Sequence, residues 1–192
     1  MEFVSRAGTK LAHALATFQI DVTGLVCADF GCNAGGFTDC LLKNGAHKVI
    51  AVDTGYGMLD WRLRNDPRVE VRERTNALYA QAPPDKVELV VIDMAWTRQR
   101  HSIPAALRWL RPNGQIVSLV KPHYESEGEE RKALVKGILP PAIAELVVDR
   151  VLGESKALGI ELIAHCPSPL EGSGGNCEHL AHMRPTGPRT AS

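Results

Sequence analysis

The sequence predicts an α/β domain built on a doubly wound, mostly parallel sheet of seven strands. Three observations carry that prediction. Short apolar runs alternate with longer stretches of helical periodicity. Most of the runs are continuous rather than alternating, which is the pattern of parallel strands covered on both faces. A glycine-rich stretch, 31–36, follows the first run directly and opens a helix, at the place where open α/β sheets bind ligands.

Taken in order, residues 1–20 place Leu11, Ala14, Leu15 and Phe18 on one helix face, so Lys10 lies near the start of that helix. The first strand is 25–30, and the helix after it is 36–43, closed by the C-cap signal Asn44-Gly45. Strands follow at 48–52, 69–71 and 87–92. A helix at 103–110 is stopped by Pro112-Asn113-Gly114, and the fifth strand is 115–120. A long helix, 140–158, ends at Gly159. Strand-like stretches 160–165 and 177–183 complete the sheet and flank the Pro-, Gly- and Ser-rich loop 167–176. The domain is expected to occupy 1–183, with 184–192 a flexible tail marked by Pro185, Gly187 and Pro188.

At 192 residues, with 44% hydrophobic and 23% charged residues, the chain suits one soluble domain. No apolar run approaches the roughly 18 residues of a membrane span, and residues 1–10 lack the apolar region of a signal peptide, so the expected location is cytoplasmic. Five cysteines, Cys27, Cys32, Cys40, Cys166 and Cys177, are an odd number without CxxC spacing, which suits free thiols. The set Cys166, Cys177, His179 and His182 matches no zinc spacing, so no metal is expected. The net charge of +0 supplies no global field toward nucleic acid, and any such affinity must be local. In 62–74, five arginines are interleaved with acidic residues, which reads as a solvated mixed-charge face. Arg98, Arg100 and His101 directly follow a strand end and are the better candidates for a phosphate contact.

Chemistry concentrates at the carboxyl ends of the strands. The loop Asp29-Phe30-Gly31-Cys32-Asn33-Ala34-Gly35-Gly36-Phe37 lets the backbone approach a ligand closely, although glycine at 35 and 36 can also serve tight helix packing. Its spacing departs from the GxGxxG fingerprint, which argues against a nicotinamide or flavin. Asp53, after the second strand, is placed to accept hydrogen bonds from both hydroxyls of a ribose. With Asn76 past the third strand it makes an adenosine-shaped constellation that S-adenosylmethionine fits best. If strand four lies beside strand one and strand five beside strand four, Asp93 and Lys121 emerge side by side next to this loop. Burial can lower a lysine pKa from about 10.4 by roughly 3 to 5 units. Asp93 opposes that shift and a second lysine promotes it, which singles out Lys10.

Seven ordered motifs carry a resemblance: Ser5-Arg6-Ala7-Gly8-Thr9-Lys10-Leu11, Gly35-Gly36-Phe37-Thr38-Asp39, Val52-Asp53-Thr54-Gly55-Tyr56-Gly57, Glu73-Arg74-Thr75-Asn76, Val91-Ile92-Asp93, Leu119-Val120-Lys121-Pro122 and Gly175-Asn176-Cys177-Glu178. Together they resemble the FtsJ/RrmJ-type ribose 2′-O-methyltransferases, and within these the methyltransferase domain of hemolysin-A-like (TlyA) rRNA methyltransferases. The resemblance implies a Rossmann-like methyltransferase sheet and a catalytic tetrad on Lys10, Asp93, Lys121 and Glu178. In that scheme Lys121 lies nearest the attacking 2′-oxygen and helps remove its proton, Asp93 and Lys10 orient lysine and substrate, and Glu178 completes the hydrogen-bonded set. It further implies S-adenosyl-L-methionine held by Asp29, Gly31, Asn33, Gly35, Gly36, Phe37, Asp53, Asn76 and Asp93, and RNA, as rRNA or the ribosome, contacted by Arg6, Trp96 and Arg98. Neither DNA nor a membrane is an expected partner.

The chain departs from its relatives at Ala7-Gly8, where they show two glycines, and at Met94-Ala95-Trp96-Thr97. TlyA-like proteins also carry an N-terminal S4-type RNA-binding module, whereas here the first motif starts at Ser5. RNA selection is therefore expected from the domain surface, a partner or a segment outside this chain. The alternatives on the same fold are a small-molecule methyltransferase and a non-catalytic cofactor-binding RNA-associated protein, and a binding module has no need of all four tetrad residues.

Overall fold

Continuous apolar runs build the centre of one seven-stranded sheet in the computed structural model, which describes residues 2–172 and 174–187. In chain order the elements are α1 (Ala7–Thr17), β1 (Val26–Phe30), α2 (Gly36–Lys43), β2 (Lys48–Val52), α3 (Trp61–Arg64), β3 (Val69–Arg72), β4 (Val87–Ile92), α4 (Gln99–Trp109), β5 (Leu110–Val120), α5 (Pro122–Glu125), α6 (Gly128–Lys132), α7 (Pro141–Glu154), β6 (Ile160–Pro167) and β7 (His179–Pro185). The strand order is β3-β2-β1-β4-β5-β7-β6. The first five strands run parallel, and β7 pairs antiparallel with both β5 and β6.

Both faces of the sheet are covered, which is why the central strands read as unbroken apolar runs. Cys27, Val49, Leu89, Val91 and Val117 pack toward Leu11 of α1 and Leu41 of α2. Phe30, Ile50, Val90, Ile92 and Val120 pack the other way, toward Trp109 of α4 and Val148 of α7. Each large side chain buried in this way contributes about 1.5–3 kcal/mol.

Register decides what reaches the site. Phe30 lies level with Val52 of β2 and Ile92 of β4, and Ile92 with Ser118 of β5. Gly31, Asp53, Asp93 and Lys121 therefore leave the sheet along one edge. Because β7 runs antiparallel with His179 level with Val120, the residue before it, Glu178, arrives at that same edge.

Several boundaries differ from the sequence pattern. Helix α4 begins at Gln99 instead of 103, because the Glu125 carboxylate accepts from its first N–H at 2.7 Å and Ser118 Oγ donates to the Gln99 side chain at 2.8 Å. Strand β5 starts at Leu110 and absorbs the Pro112-Asn113-Gly114 stop. Asn113 there has φ +65°, and the β4 register shifts between Val87 and Leu89. The long helix ends at Glu154 and continues as a 3-10 turn, Ser155–Leu158. Strand β7 pairs Arg184 with Glu161 and Pro185 with Ile160, so these two residues belong to the sheet and not to a tail. The remainder of the expected tail, from 188 on, lies outside the described residues. Helices α3, α5 and α6, of 4, 4 and 5 residues, are too short to show periodicity.

The mixed-charge stretch folds as read. Arg62 pairs with Asp60, Arg64 with Glu73, Arg68 with Asp66 and Arg72 with Glu70, all at 2.5–2.9 Å. All five cysteines are free. Among the described residues no helix is long and apolar enough to cross a membrane.

Candidate active site

At the end of β1 the chain turns through Gly31, whose φ is +85°. A Cβ there would stand 2.6 Å from the Asp93 carbonyl oxygen, so only glycine lets the ends of β1 and β4 approach this closely. Asp93 N donates to Phe30 O at 3.0 Å and ties the two ends together.

Asp29, two residues before Gly31 in β1, is fully buried. One carboxyl oxygen accepts from Thr38 Oγ1 at 2.7 Å, and the other, Oδ1, has no hydrogen-bond partner. Burial above all, opposed by the Thr38 bond, raises this carboxyl to about 7. Across the loop, Asp53 accepts from Asn33 N at 2.9 Å and Gly55 N at 2.7 Å, which fixes both its oxygens. Asn76 Oδ1 accepts from Leu78 N at 3.0 Å.

These groups line two adjoining cavities. The smaller, of about 390 Å³, is walled by Gly31, Asn33, Asp53, Asn76, Asp93 and Trp96, among others. The larger, of about 800 Å³, has Arg6, Lys10, Asp29, Phe37, Arg98, Lys121, His123, Tyr124, Arg131, Asn176 and Glu178 on its walls. Gly31, Asn33, Asp93 and Trp96 line both, so Asp93 stands where the two compartments meet.

The four residues of the implied tetrad all reach the larger cavity, as two ion pairs. Lys121 Nζ lies 2.6 Å from Asp93 Oδ1, with the two side chains 15% and 20% exposed. Lys10 Nζ bonds Glu178 Oε2, and both side chains are buried. Lys10 is thus coupled directly to Glu178, a partner that sequence reasoning did not assign it. Removing one member of such a buried pair leaves an uncompensated charge, at about 3–5 kcal/mol.

Two glycines expected at the cofactor turn out to pack helices. A Cβ on Gly35 would press into Leu63 of α3 and meet Leu59 Cδ1 at 2.7 Å, and one on Gly36 would meet Gly8 N at 2.8 Å and Ala7 Cβ at 2.9 Å. Neither residue lines either cavity. Gly36 lets α1 lie against α2 and so holds Lys10 over the sheet edge. Arg98 lines the cavity with its guanidinium paired to Glu127 and donating to Tyr124 O at 3.2 Å, so a phosphate there would compete with these partners. Arg100 pairs with the same Glu127 at 2.8 Å. Trp96 is 80% exposed at φ +62°, with its ring 4.7 Å from that of Tyr124. Arg6 is exposed on the cavity wall.

Sequence reasoning gave no site role to His123, Tyr124 and Arg131, and noted Asn176 only as part of the motif that ends in Glu178, although all four line the larger cavity. The first two follow Lys121-Pro122 directly, and their place after a functional strand end was the available signal. Burial, helped by Lys121, lowers the His123 pKa and keeps its ring neutral at pH 7.

Fold and site together define a class: an open α/β protein with adjoining cavities at its strand switch point, beside two lysine–carboxylate pairs. The chain belongs to the FtsJ-like methyltransferase family, whose model matches residues 3–184. It is 40% identical over 185 residues to the 16S/23S rRNA (cytidine-2′-O)-methyltransferase TlyA of Mycobacterium tuberculosis, covering 95% of this chain and 68% of that protein. It is 35% identical over 187 residues to a Brachyspira hyodysenteriae protein named Hemolysin A, covering 95% and 77%. A solved Streptococcus thermophilus structure carrying the hemolysin label superposes with a TM-score of 0.90 at 37% identity, covering 97% of this chain and 68% of that one. The chain thus spans about two thirds of the length of the first of these relatives.

Proposed function

We propose that the chain methylates a ribose 2′-hydroxyl of RNA with S-adenosylmethionine, rRNA being the substrate named for its TlyA relative. One observation carries this reading: the Lys121–Asp93 pair stands at the junction of a nucleoside-sized compartment and a larger, cation-rich one.

The residues fit the cofactor. The unpartnered Asp29 Oδ1 in the larger cavity suits the ammonium of an amino-acid tail, and Asp53, held by two backbone N–H groups, retains lone pairs for ribose hydroxyls. When bound, S-adenosylmethionine supplies an electrophilic methyl on a sulfonium. Lys121 Nζ, oriented by Asp93, would donate a hydrogen bond to the substrate 2′-oxygen and hold it for attack on that methyl. The hydroxyl proton is released through the Lys121–Asp93 pair to solvent. Lys10 and Glu178 fix the opposite wall. Positioning two reactants in this way can contribute roughly 7–11 kcal/mol to the acceleration.

The test is methyl transfer from labelled S-adenosylmethionine to in-vitro-transcribed rRNA and to a 2′-deoxy version. Lys121→Ala is expected to lower turnover by about 100-fold or more while keeping cofactor affinity within a few-fold. Equal labelling of the two substrates would overturn the ribose assignment.

A further inference from the structure

The cations on the wall of the larger cavity fall into two groups. Lys10, Lys121 and Arg98 each have a carboxylate partner, in Glu178, Asp93 and Glu127. Arg6 and Arg131 line the same cavity, both exposed, and have no carboxylate partner among the described residues. They come from distant parts of the chain. Arg6 caps α1, the helix that carries Lys10, while Arg131 lies in α6 and leads into a tight turn.

That turn is an ordered arm. Val135 N donates to Ile138 O and Ile138 N to Val135 O, both at 2.9 Å, around Lys136 at φ +52° and Gly137 at φ +81°. Two central residues at positive φ are those of a type I′ hairpin turn. The tip of the turn is exposed, with Val135 66% and Ile138 42% accessible, while Ala133, Leu134 and Leu139 on either side of it pack into the core. Asn176 also holds it. Its Nδ2 donates to Gly137 O and its Oδ1 accepts from Leu139 N, each at 2.9 Å. Asn176 is itself buried and sits two residues before Glu178, so one loop fixes both the arm and a tetrad residue.

Lys136 is exposed next to Gly137, which lines the cavity, and like Arg6 and Arg131 has no carboxylate partner among the described residues. Uncompensated cations of this kind suit an anionic backbone, which is read by charge and not by base identity. With a net charge of +0 the molecule offers no general field, so attraction must come from such a local group. We infer that Arg131 and Lys136, with Arg6 across the cavity, hold the RNA phosphates on either side of the methylated ribose. This rests on the RNA reading above and adds the site by which a strand is gripped.

The full chain carrying Arg131→Gln, Lys136→Gln or both is assayed on in-vitro-transcribed rRNA, with RNA affinity measured between about 50 and 200 mM salt. Expected are an unchanged kcat, unchanged S-adenosylmethionine affinity and a severalfold higher KM for RNA. The slope of log affinity against log salt should fall by about 0.7 for each cation removed, as for a single strand, with the slope restored in Arg131→Lys. Lys136→Gln lies on an exposed turn, so its result does not depend on folding. Unchanged KM and slope in the double variant, while the unaltered chain methylates RNA, would overturn the arm alone. An unaltered chain that neither binds nor methylates RNA would remove the RNA reading and the arm with it.

Discussion

If Asp29 takes the cofactor's ammonium as proposed, one buried carboxyl couples stability to ligand binding. Burial raises it to about 7, against an ordinary carboxylate value near 4, so the folded protein keeps the proton over a range where the unfolded chain has lost it. Its stabilising effect is therefore fully present below about pH 4 and declines as pH rises toward about 7, by about 4 kcal/mol at most. Binding a cation there runs the other way, because the acid must first lose its proton. Affinity for S-adenosylmethionine is expected to fall nearly tenfold for each pH unit below about 7, and Asp29→Asn should bind more weakly with little pH dependence. Calorimetric titration across about pH 5 to 8 measures both, and a flat profile in the unaltered protein would rule out Asp29 as the ammonium partner. Asp93 and Lys121 were legible as charged residues closing apolar strands. The partner of Lys10 was not, because the Lys10–Glu178 contact spans 168 positions and no local pattern encodes it.

Among the elements, α1 contributes a single tetrad side chain, and its placement depends on a glycine in a different helix. Gly36 opens α2, and a Cβ there would press on the backbone of Gly8 and the side chain of Ala7. Val4 N adds a bond to Asp39 Oδ2 at 2.9 Å. Gly36→Ala is thus expected to push α1 outward, destabilise the fold by about 1–3 kcal/mol and lower kcat through Lys10. Cofactor affinity should stay near that of the unaltered protein. If affinity falls and kcat does not, Gly36 belongs to the cofactor loop after all. The glycine-rich motif was readable as a turn into a helix, but whether each glycine admits a ligand or a neighbouring helix depends on tertiary contacts. The strands were legible to within a few residues, apart from the early start of β5, because burial on both faces leaves a composition signal. The start of α4 was not, since its first N–H is satisfied by Glu125, 26 residues away.

At the scale of the whole molecule, many of the surface cations are answered by a neighbouring carboxylate, and Arg6, Arg131 and Lys136 at the rim of the site are not. The arginines of 62–74 largely answer their own carboxylates, and the Glu127 carboxylate is shared by Arg98 and Arg100, leaving that group with a single positive charge. A surface neutralised in this way releases few counterions when RNA binds. Counting Arg6, Arg131 and Lys136 as the phosphate contacts, and taking about 0.7 per phosphate for a single strand, the slope of log affinity against log salt should be near −2 for the unaltered chain. That is shallow for a nucleic-acid-binding protein. It implies that this domain alone associates weakly and selects RNA by the fit of one unpaired nucleotide, in keeping with readout of single-stranded loops. Filter binding of rRNA fragments over about 50 to 200 mM salt measures the slope. A value steeper than about −5 would require a broad basic surface that the paired charges of this fold do not provide, and would place RNA recognition outside the cavity rim.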